Sequence, residues 1–340
     1  MRRDLPDSID LSNIISIYKG FKFIGRGTNV EEFRWTRRFS SPGEFEIRLP
    51  FSAEHFSLYE RENIIYRRDI GESAFVENII VLQDLEGRQQ LIVRGRFLSS
   101  IFERRVVNIP EGSYTPQELL QRIMHENFLA GAGTNRSMEP LVRLLPFDVS
   151  GEPVRVDVRG QNASQLIRDT LEENDLGVRV LFNIENQSYD VEFYPPVKSR
   201  AKFSFEWNNV KEQEFYSNTQ NYRNVVLVGD NFIMNNHIQG MERREVFQSL
   251  PRDNSAEYLE RTARDALHRY RPRRTLTSSI DAQSLQFEYE TDWTIGSVVL
   301  MTNRDLAFSH REIIIEILEY FDEQGRHFDI TTGDIRKGER

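Results

Sequence analysis

The sequence has no cysteine among its 340 residues. Disulfide bonds, thiolate catalysis and zinc sites built on cysteine are therefore excluded. Basic residues are outnumbered: 44 Lys and Arg stand against 53 Asp and Glu, for a net charge of −9. This balance argues against a dedicated duplex-DNA-binding protein. No apolar run approaches the roughly 18 residues of a membrane span. The start "MRRDLPDSID" has no apolar run behind its arginines, so we expect a soluble protein made in a cytoplasm.

Motifs for metal or phosphate binding are also missing. None of the six histidines stands in an H-E-x-x-H or similar ligand spacing. Two glycine-rich stretches, "GRGT" at 25–28 and "GAGTNRS" at 131–137, lack the Gly-Lys-Ser/Thr ending of a phosphate-binding loop. We interpret both as surface loops. The sequence therefore predicts no metal, no cofactor and no catalytic residue.

One carboxylate cluster leaves a glycosidase open as an alternative. Glu288, Glu290 and Asp292 lie in "FEYETDW", and Trp293 is placed to act as a sugar platform. On a strand, Glu288 and Glu290 would share one face. Aromatic residues alternate with them, however, which is typical of a half-buried strand. We therefore favour a structural role for this segment, with Trp293 packing over the sheet.

The one basic cluster is "RYRPRR" at 269–274. Nucleic-acid contact is one interpretation. The cluster also follows a predicted helix, where cations stabilise the helix terminus and Pro272 ends the helix. We favour this structural interpretation.

The chain is long enough for two or more domains. Short alternating strands such as "EFEIRLP" at 44–50 fill the first hundred residues and predict an antiparallel barrel or sandwich. A helix is predicted after Thr115, which forms a T-P-x-E capping box with Glu118. A second helix opens at Asn162, and a hairpin follows around 186–188. Strands return after Pro196, interrupted by a third helix before Pro272.

Two distant stretches share a pattern. "DLEGRQQLIVRG" at 84–95 and "DEQGRHFDITTG" at 322–333 both fit D-x-x-G-R-x-x-x-x-x-x-G, 238 residues apart. Each follows an F-E-x segment and an apolar strand that ends in Arg-Asp. This order predicts one β unit used twice, with Gly87 and Gly325 at equivalent hairpin turns. The alternative is two unrelated hairpins, because Asp-x-x-Gly is common turn chemistry.

These patterns predict an α+β, β-rich fold in which two similar antiparallel β-barrel domains flank an α+β domain. The first β domain spans 1–112. The α+β domain (helix, helix, hairpin) spans 113–197. The second β domain spans 198–250 and 276–340, with a helical insertion at 251–275.

The collinear set "EEFRWTRRFSSPGEFEIRLP", "ENIIYRRD", "VENIIVLQD", "LIVRGRFLSSIFERR" and "TDWTIGSVV" resembles siphophage tail proteins of Gram-positive hosts that form the tail-tip, or baseplate, hub. That family is related to the baseplate hub of contractile tails. The resemblance covers nearly the whole chain. It implies tail-tube-like β barrels and a homotrimer, and because the sequence contains no catalytic motif we expect no enzymatic activity. Two barrels in each of three chains would form a pseudo-sixfold ring.

The resemblance further implies what this ring does. It would join the hexameric tail tube to the threefold tip and line the ejection channel of a phage tail or phage-tail-like particle. The implied partners are distal tail or tail tube proteins, the tape-measure protein and tip spike or fibre proteins, with DNA only in passage. The implied location is the virion tail tip, after synthesis in the host bacterial cytoplasm. Two other functions stay open: a cell-wall hydrolase that uses a carboxylate pair, and a receptor- or carbohydrate-binding tail module.

Overall fold

A computed structural model describes residues 14–229, 232–249, 255–280, 286–322 and 325–335. The chain divides into two compact units. The first contains Met1–Gln213 and Ser278–Arg340, and the second contains Glu214–Thr277.

The described strands and helices follow in chain order. The strands are β1 Ile15–Lys19, β2 Lys22–Arg26, β3 Glu32–Arg38, β4 Glu44–Pro50, β5 Ile64–Arg67, β6 Glu72–Gln83, β7 Gln89–Phe97, β8 Val106–Tyr114, β9 Val142–Leu144, β10 Val154–Asn162, β11 Gly177–Asn183, β12 Ser188–Tyr194, β13 Val197–Phe203, β14 Val210–Asn218, β15 Val225–Val228, β16 Phe232–Met234, β17 Glu245–Gln248, β18 Arg273–Ile280, β19 Ser297–Asn303, β20 Phe308–Asp322 and β21 Gly325–Asp334. The helices are α1 Ala53–Leu58, α2 Pro116–Asn127, α3 Ala163–Glu173 and α4 Ala256–Arg269.

Thirteen strands form one sheet. Its order is β14-β18-β21-β20-β3-β4-β7-β6-β5-β1-β2, with β19 also paired to β20 and β13 paired to β19. Buried positions alternate with accessible ones along β3 and β4, and the apolar residues Phe33, Trp35, Phe45, Ile47 and Leu49 occupy buried positions, as the sequence predicts. The α+β, β-rich fold class is confirmed. The sequence predicted two separate β barrels. The described strands instead form one continuous open sheet, because β3 of the first half pairs with β20 of the second.

The strand order of the first half is repeated in the second. In the first half the neighbours are β3-β4-β7-β6-β5-β1, and in the second they are β14-β18-β21-β20-β19-β13. If the strands are matched by their place in these series, the counterparts also follow one another in the same order along the chain: β1, β3, β4, β5, β6, β7 and β13, β14, β18, β19, β20, β21. The central meanders β5-β6-β7 and β19-β20-β21 are antiparallel throughout. The two halves therefore share a topology, as expected if one β unit is used twice.

A bulge marks equivalent positions in the two long strands. The ladder of β6 with β7 shifts between Val76 and Asn78, which places the extra residue at Glu77. The ladder of β20 with β21 shifts between Ile314 and Glu316, which places it at Ile315. These two residues lie 238 positions apart, the same offset as the sequence repeat. Bulges bend and twist a strand at a defined point, so this coincidence is stronger evidence for the repeat than the shared letters.

The repeat is imperfect in two places. The second hairpin is one residue shorter: Gln83 pairs with Gln89 in the first half, whereas its counterpart Phe321 pairs with Arg326 in the second. As a result the return strands are shifted by one residue relative to the four-letter pattern. In addition, β1 pairs antiparallel with β5, whereas β13 pairs parallel with β19. The superposition of the two halves stays a prediction.

The middle of the chain forms the expected helices and hairpin. Thr115 caps α2 and forms the predicted capping box with Glu118, and Asn162 caps α3. The hairpin β11-β12 extends with β9 into a small sheet, and β8 pairs with β10. The apolar faces of α2 and α3 pack with residues of the 3-10 helix Leu98–Arg104 and of β11 and β12 in one buried cluster. Helix α1, with Ser52 as its cap, was not predicted because its six residues show no clear helical period.

The second unit contains a three-stranded sheet, β16-β15-β17, and α4. Ala263 and Ala266 of α4 pack against Val226 and Val228 of β15 in a separate buried cluster. The small alanine side chains allow the helix to approach the strand closely. This unit includes the predicted helical insertion.

Gly95 is a test of the close packing at the first bulge. A Cβ atom at this position would overlap the carbonyl oxygen of Phe75 and come within 2.8 Å of the Phe45 ring. We expect Gly95→Ala to lower the free energy of unfolding by about 2–4 kcal/mol, because backbone must shift in a packed core. Gly87→Ala is the control: Gly87 has φ +81 and open space around it, so only about 1–2 kcal/mol of backbone strain is expected. Urea denaturation measures both, and equal losses would contradict the packing argument.

Candidate functional site

The junction between the two halves is the candidate functional feature of this chain. Strand β3 pairs antiparallel with β20 over six residue pairs, from Phe33↔Phe321 to Arg38↔Glu316. The contact uses the part of β20 beyond its bulge, whereas β19 occupies the same edge up to Ile313. The part of β20 up to Ile313 therefore pairs with β19 of its own half. The part at residues 316–321, called the outer arm of β20, pairs with β3 of the other half.

A fully buried ion pair lies at this junction. The side chains of Arg67 in β5 and Glu319 in β20 are both 0% exposed, and Arg67 Nη1 donates to Glu319 Oε2 at 2.7 Å. Asp69 accepts from Arg67 Nε at 2.9 Å, and Arg326 donates to Glu319 Oε1 at 2.7 Å. The Arg67 guanidinium also stands 5.4 Å from the Phe33 ring centroid. Burial disfavours the charge of Arg67, but Glu319 and Asp69 more than offset this, so its pKa is raised.

A second buried arginine forms a parallel connection. Arg37 in β3 donates through Nε and Nη2 to Glu72 Oε1 at 2.9 and 2.6 Å. Its Nη1 donates to the Tyr289 hydroxyl at 2.8 Å and also contacts Glu290. Burial opposes the charge, but the nearby Glu72, Tyr289 and Glu290 raise the pKa of Arg37 well above its usual value. Since β3 and β6 belong to the first half and Tyr289 and Glu290 to the second, Arg37 ties the halves together.

The sequence did not predict these buried charges. Arg67 and Glu319 stand in apolar strands, "IIYR" and "EIIIEILEYF". The sequence signal that could have revealed them is a charged residue at a strand position whose side chain, by the alternation of buried and accessible residues, must point into the core. Charged residues are almost never buried unless paired, and the partners come from distant segments.

The candidate carboxylates Glu288 and Glu290 do not lie on a strand. Residues 286–294 form turns with an isolated bridge between Tyr289 and Trp293, not the expected strand, and Glu290 has φ +66. Glu290 accepts from Thr294 and contacts Arg37, while Asp292 accepts from the Glu288 backbone N–H at 2.9 Å. The packing role favoured for Trp293 agrees with the structure, because this side chain is only 3% exposed and its ring centroid lies 5.5 Å from that of Phe203.

The basic cluster and the glycine-rich stretches lie at chain connections. Helix α4 ends at Arg269, and β18 begins at Arg273. This agrees with the structural interpretation of "RYRPRR"; the side chains of 273 and 274 lie outside the described residues. The stretch at 25–28 ends β2, and the stretch at 131–137 includes a short helical turn and Gly133 at φ +76.

No metal site is formed by the part of the chain that the structure describes: it contains no group of three or more His, Asp or Glu placed to hold an ion. No helix in the described ranges is long and apolar enough to cross a membrane.

An open depression of about 380 Å³ is lined by Arg104, Arg105 and Arg136 with Val106, Asn108 and Asn135. Burial, together with Arg136 and Arg104, lowers the pKa of Arg105.

Glu312 in β20 is a buried carboxyl. It is 1% exposed and accepts from the Thr332 hydroxyl. Burial raises its pKa to about 7; the Thr332 bond opposes this, and Asp334 reinforces it. Between the ordinary carboxyl pKa of about 4.3 and about 7, the folded chain holds a proton that the unfolded chain releases. Stability due to this group is therefore complete below that window and is lost as pH rises through it.

We expect Glu312→Gln to stabilise the protein at pH 8 by about 1–3 kcal/mol and to change little at pH 4.5, because Gln removes the cost of ionising a buried carboxyl. The exposed Glu288→Gln serves as control. Thermal unfolding across pH 4.5–8 measures the difference. A pH-independent gain would contradict the assignment.

The junction pair gives a stability prediction. Arg67→Met leaves Glu319 buried with less of its partner charge, so we expect a loss of about 3–5 kcal/mol. The Arg67→Met/Glu319→Gln double variant should recover part of this loss. Lys19→Met, which removes the exposed pair of Lys19 with Glu60 at 2.8 Å, should cost less than about 1 kcal/mol. Urea denaturation distinguishes these, and a similar cost for Arg67→Met and Lys19→Met would refute the role of the junction.

Comparisons with known structures find proteins that share this fold. No curated protein matches the sequence. A tail protein from Neisseria meningitidis MC58 has TM-score 0.63 and 12% identity, covering 94% of this chain and 96% of that one. The 43 kDa tail protein of prophage MuSo2 from Shewanella oneidensis has TM-score 0.62 and 13% identity, with 95% and 98% covered. Prophage tail protein gp18 from Listeria monocytogenes EGD-e has TM-score 0.57 and 15% identity, with 96% and 95% covered.

The family comparison agrees with the fold. Residues 16–334 match the model of the Siphovirus ReqiPepy6 Gp37-like protein family. The resemblance to siphophage tail proteins inferred from the sequence is thereby confirmed. The chain belongs to the Siphovirus ReqiPepy6 Gp37-like family, and its fold is that of phage tail proteins.

Proposed function

We propose that this protein is the baseplate hub of a phage tail or phage-tail-like particle and assembles as a homotrimer. One observation carries the proposal: the strand order of one half is repeated in the other, with bulges at Glu77 and Ile315. Two similar halves in each of three chains give six similar positions around an axis. Such a ring matches a sixfold tube on one face and a threefold tip on the other.

The partners follow from this position. On the tube face we propose contact with distal tail or tail tube proteins, and on the other face with tip spike or fibre proteins. The tape-measure protein and DNA pass through the channel. The predicted domains at 1–112, 113–197, 198–250 with 276–340, and 251–275 are the units from which this ring is built. The tail tip of the particle is the proposed location.

The hydrolase alternative has weaker support. Glu290 contacts Arg37, and Asp292 is bound to the Glu288 backbone and to Arg200 at 2.6 Å. A general acid needs a carboxyl with a raised pKa beside open space for substrate, whereas hydrogen bonds lower the pKa of Asp292. We therefore propose a structural rather than an enzymatic role.

We expect three copies at the tail tip in a cryo-electron microscopy reconstruction of the particle. Native mass spectrometry of the concentrated chain should show the same trimer, with a population that rises with concentration because assembly follows mass action. Six copies, or one, would refute the hub. A peptidoglycan-hydrolysing activity of the purified chain that Glu288→Gln or Glu290→Gln abolishes would favour the hydrolase instead.

A further inference from the structure

The outer arm of β6, residues Asn78–Gln83, is the counterpart of the arm of β20 that binds β3. In both strands the neighbour on this edge ends two residues before the bulge: β5 pairs with β6 up to Phe75, and β19 pairs with β20 up to Ile313. Beyond the bulge, β20 binds β3 with residues 316–321. No strand in the described part of the chain binds the equivalent edge of β6.

The outer arm of β6 lacks the features that usually protect a sheet edge. It reads N-I-I-V-L-Q and contains no charge and no proline. Val81 and Leu82 are 40% and 49% exposed, and the adjacent Leu85 is fully exposed. Natural edge strands are normally blunted by lysine, proline or a covering element, because a bare apolar edge pairs with other chains. This composition indicates an edge that is covered in an assembly.

The complementary strand is β14. In the first half, β3 lies next to β4, which lies next to β7; in the second half, β14 lies next to β18, which lies next to β21. Strand β14 is therefore the counterpart of β3. It is also the last strand of the sheet order, and its Tyr216 is 52% exposed.

We propose that the outer arm of β6 in one copy of this chain pairs with β14 of the next copy, repeating between chains the β20–β3 contact made within each chain. The donor arm and the acceptor strand are different surfaces, so the contact is head-to-tail and closes a ring when the rotation is right. This inference rests on the proposed hub function and specifies its interface. Each ring then alternates an intrachain junction with an interchain one.

The outward hydrogen-bonding groups of the arm follow from the ladder. Asp84 donates its N–H to Arg88, and in an antiparallel ladder the direction alternates. The N–H groups of Leu82 and Ile80 therefore point to β7, and those of Val81 and Ile79 point to the open edge. The same parity holds in the second half, where Ile315, the counterpart of Glu77, accepts at this edge from the Phe39 N–H at 3.0 Å.

A proline test separates the open edge from the fold. Val81→Pro removes one outward N–H and leaves the β6–β7 hydrogen bonds in place, and proline is tolerated at a sheet edge. We expect the variant to fold with the wild-type circular dichroism spectrum while the concentration for half-maximal trimer rises by at least about tenfold. Val81→Thr keeps the N–H and should assemble like the wild type. An undiminished trimer in Val81→Pro overturns the edge pairing.

The absence of cysteine allows a direct test of the partner strand. Leu82→Cys is combined with one substitution by cysteine at Glu212, Gln213, Glu214, Phe215 or Tyr216, and the concentrated chain is oxidised. We expect covalent dimers and trimers for alternate β14 positions only, because side chains alternate between faces and a disulfide needs Cα atoms within about 7 Å. Leu82→Cys with Asp157→Cys, at an exposed position of β10, should stay uncrosslinked.

The outcomes distinguish the interface from the function. A trimer that forms no cross-link between position 82 and β14 overturns the edge pairing and leaves the hub function standing. Dimers formed by Leu82→Cys alone indicate a twofold contact between two β6 arms and also overturn it. A concentrated wild-type chain that is not trimeric, together with particles whose tips do not contain three copies, overturns the hub function itself.

Discussion

The pairing of β3 with β20 is the constraint on which the rest of the architecture depends. It joins the two halves of the sheet, and the buried pair of Arg67 with Glu319 fixes its register. A shift of one residue would move Glu319 to the opposite face and leave Arg67 as an uncompensated buried charge. The two halves are therefore held at one defined position, as the proposed ring of alternating junctions would require.

The bulges explain how one strand serves two neighbours. Up to Ile313, β20 binds β19 of its own half, and beyond Ile315 the same edge binds β3. A bulge bends the strand between these two contacts, so the partners need not be coplanar. Glu77 occupies the equivalent position in β6, so β6 is bent at the same point, before its outer arm. The repeat is thus conserved in geometry at a point where the residues themselves, Glu and Ile, differ.

Local features were predicted from the sequence, and non-local ones were not. The capping box of Thr115 and the hairpins at Gly87 and Gly325 depend on neighbouring residues, so their signals are legible. The segment at 286–294 misled because alternation also fits a turn when a residue such as Glu290 adopts a left-handed conformation. Arg67 was missed because its partner Glu319 is 252 residues away. Periodicity carries no information about which distant strand provides the counter-ion.

The junction within the chain and the proposed junction between chains suit different requirements. Within the chain, buried ion pairs are formed once, during folding, and their desolvation cost is offset in part by the attraction between the paired charges and by the further hydrogen bonds to Glu319. Between chains, every association event would repeat that desolvation. An outer arm of β6 without charge avoids it and gains instead from burying Val81 and Leu82. An apolar arm is also less specific, so in the proposed contact the register between chains would come largely from backbone pairing and from the shape of the bulge. The same strand order can therefore support a permanent junction inside each chain and a concentration-dependent one between chains.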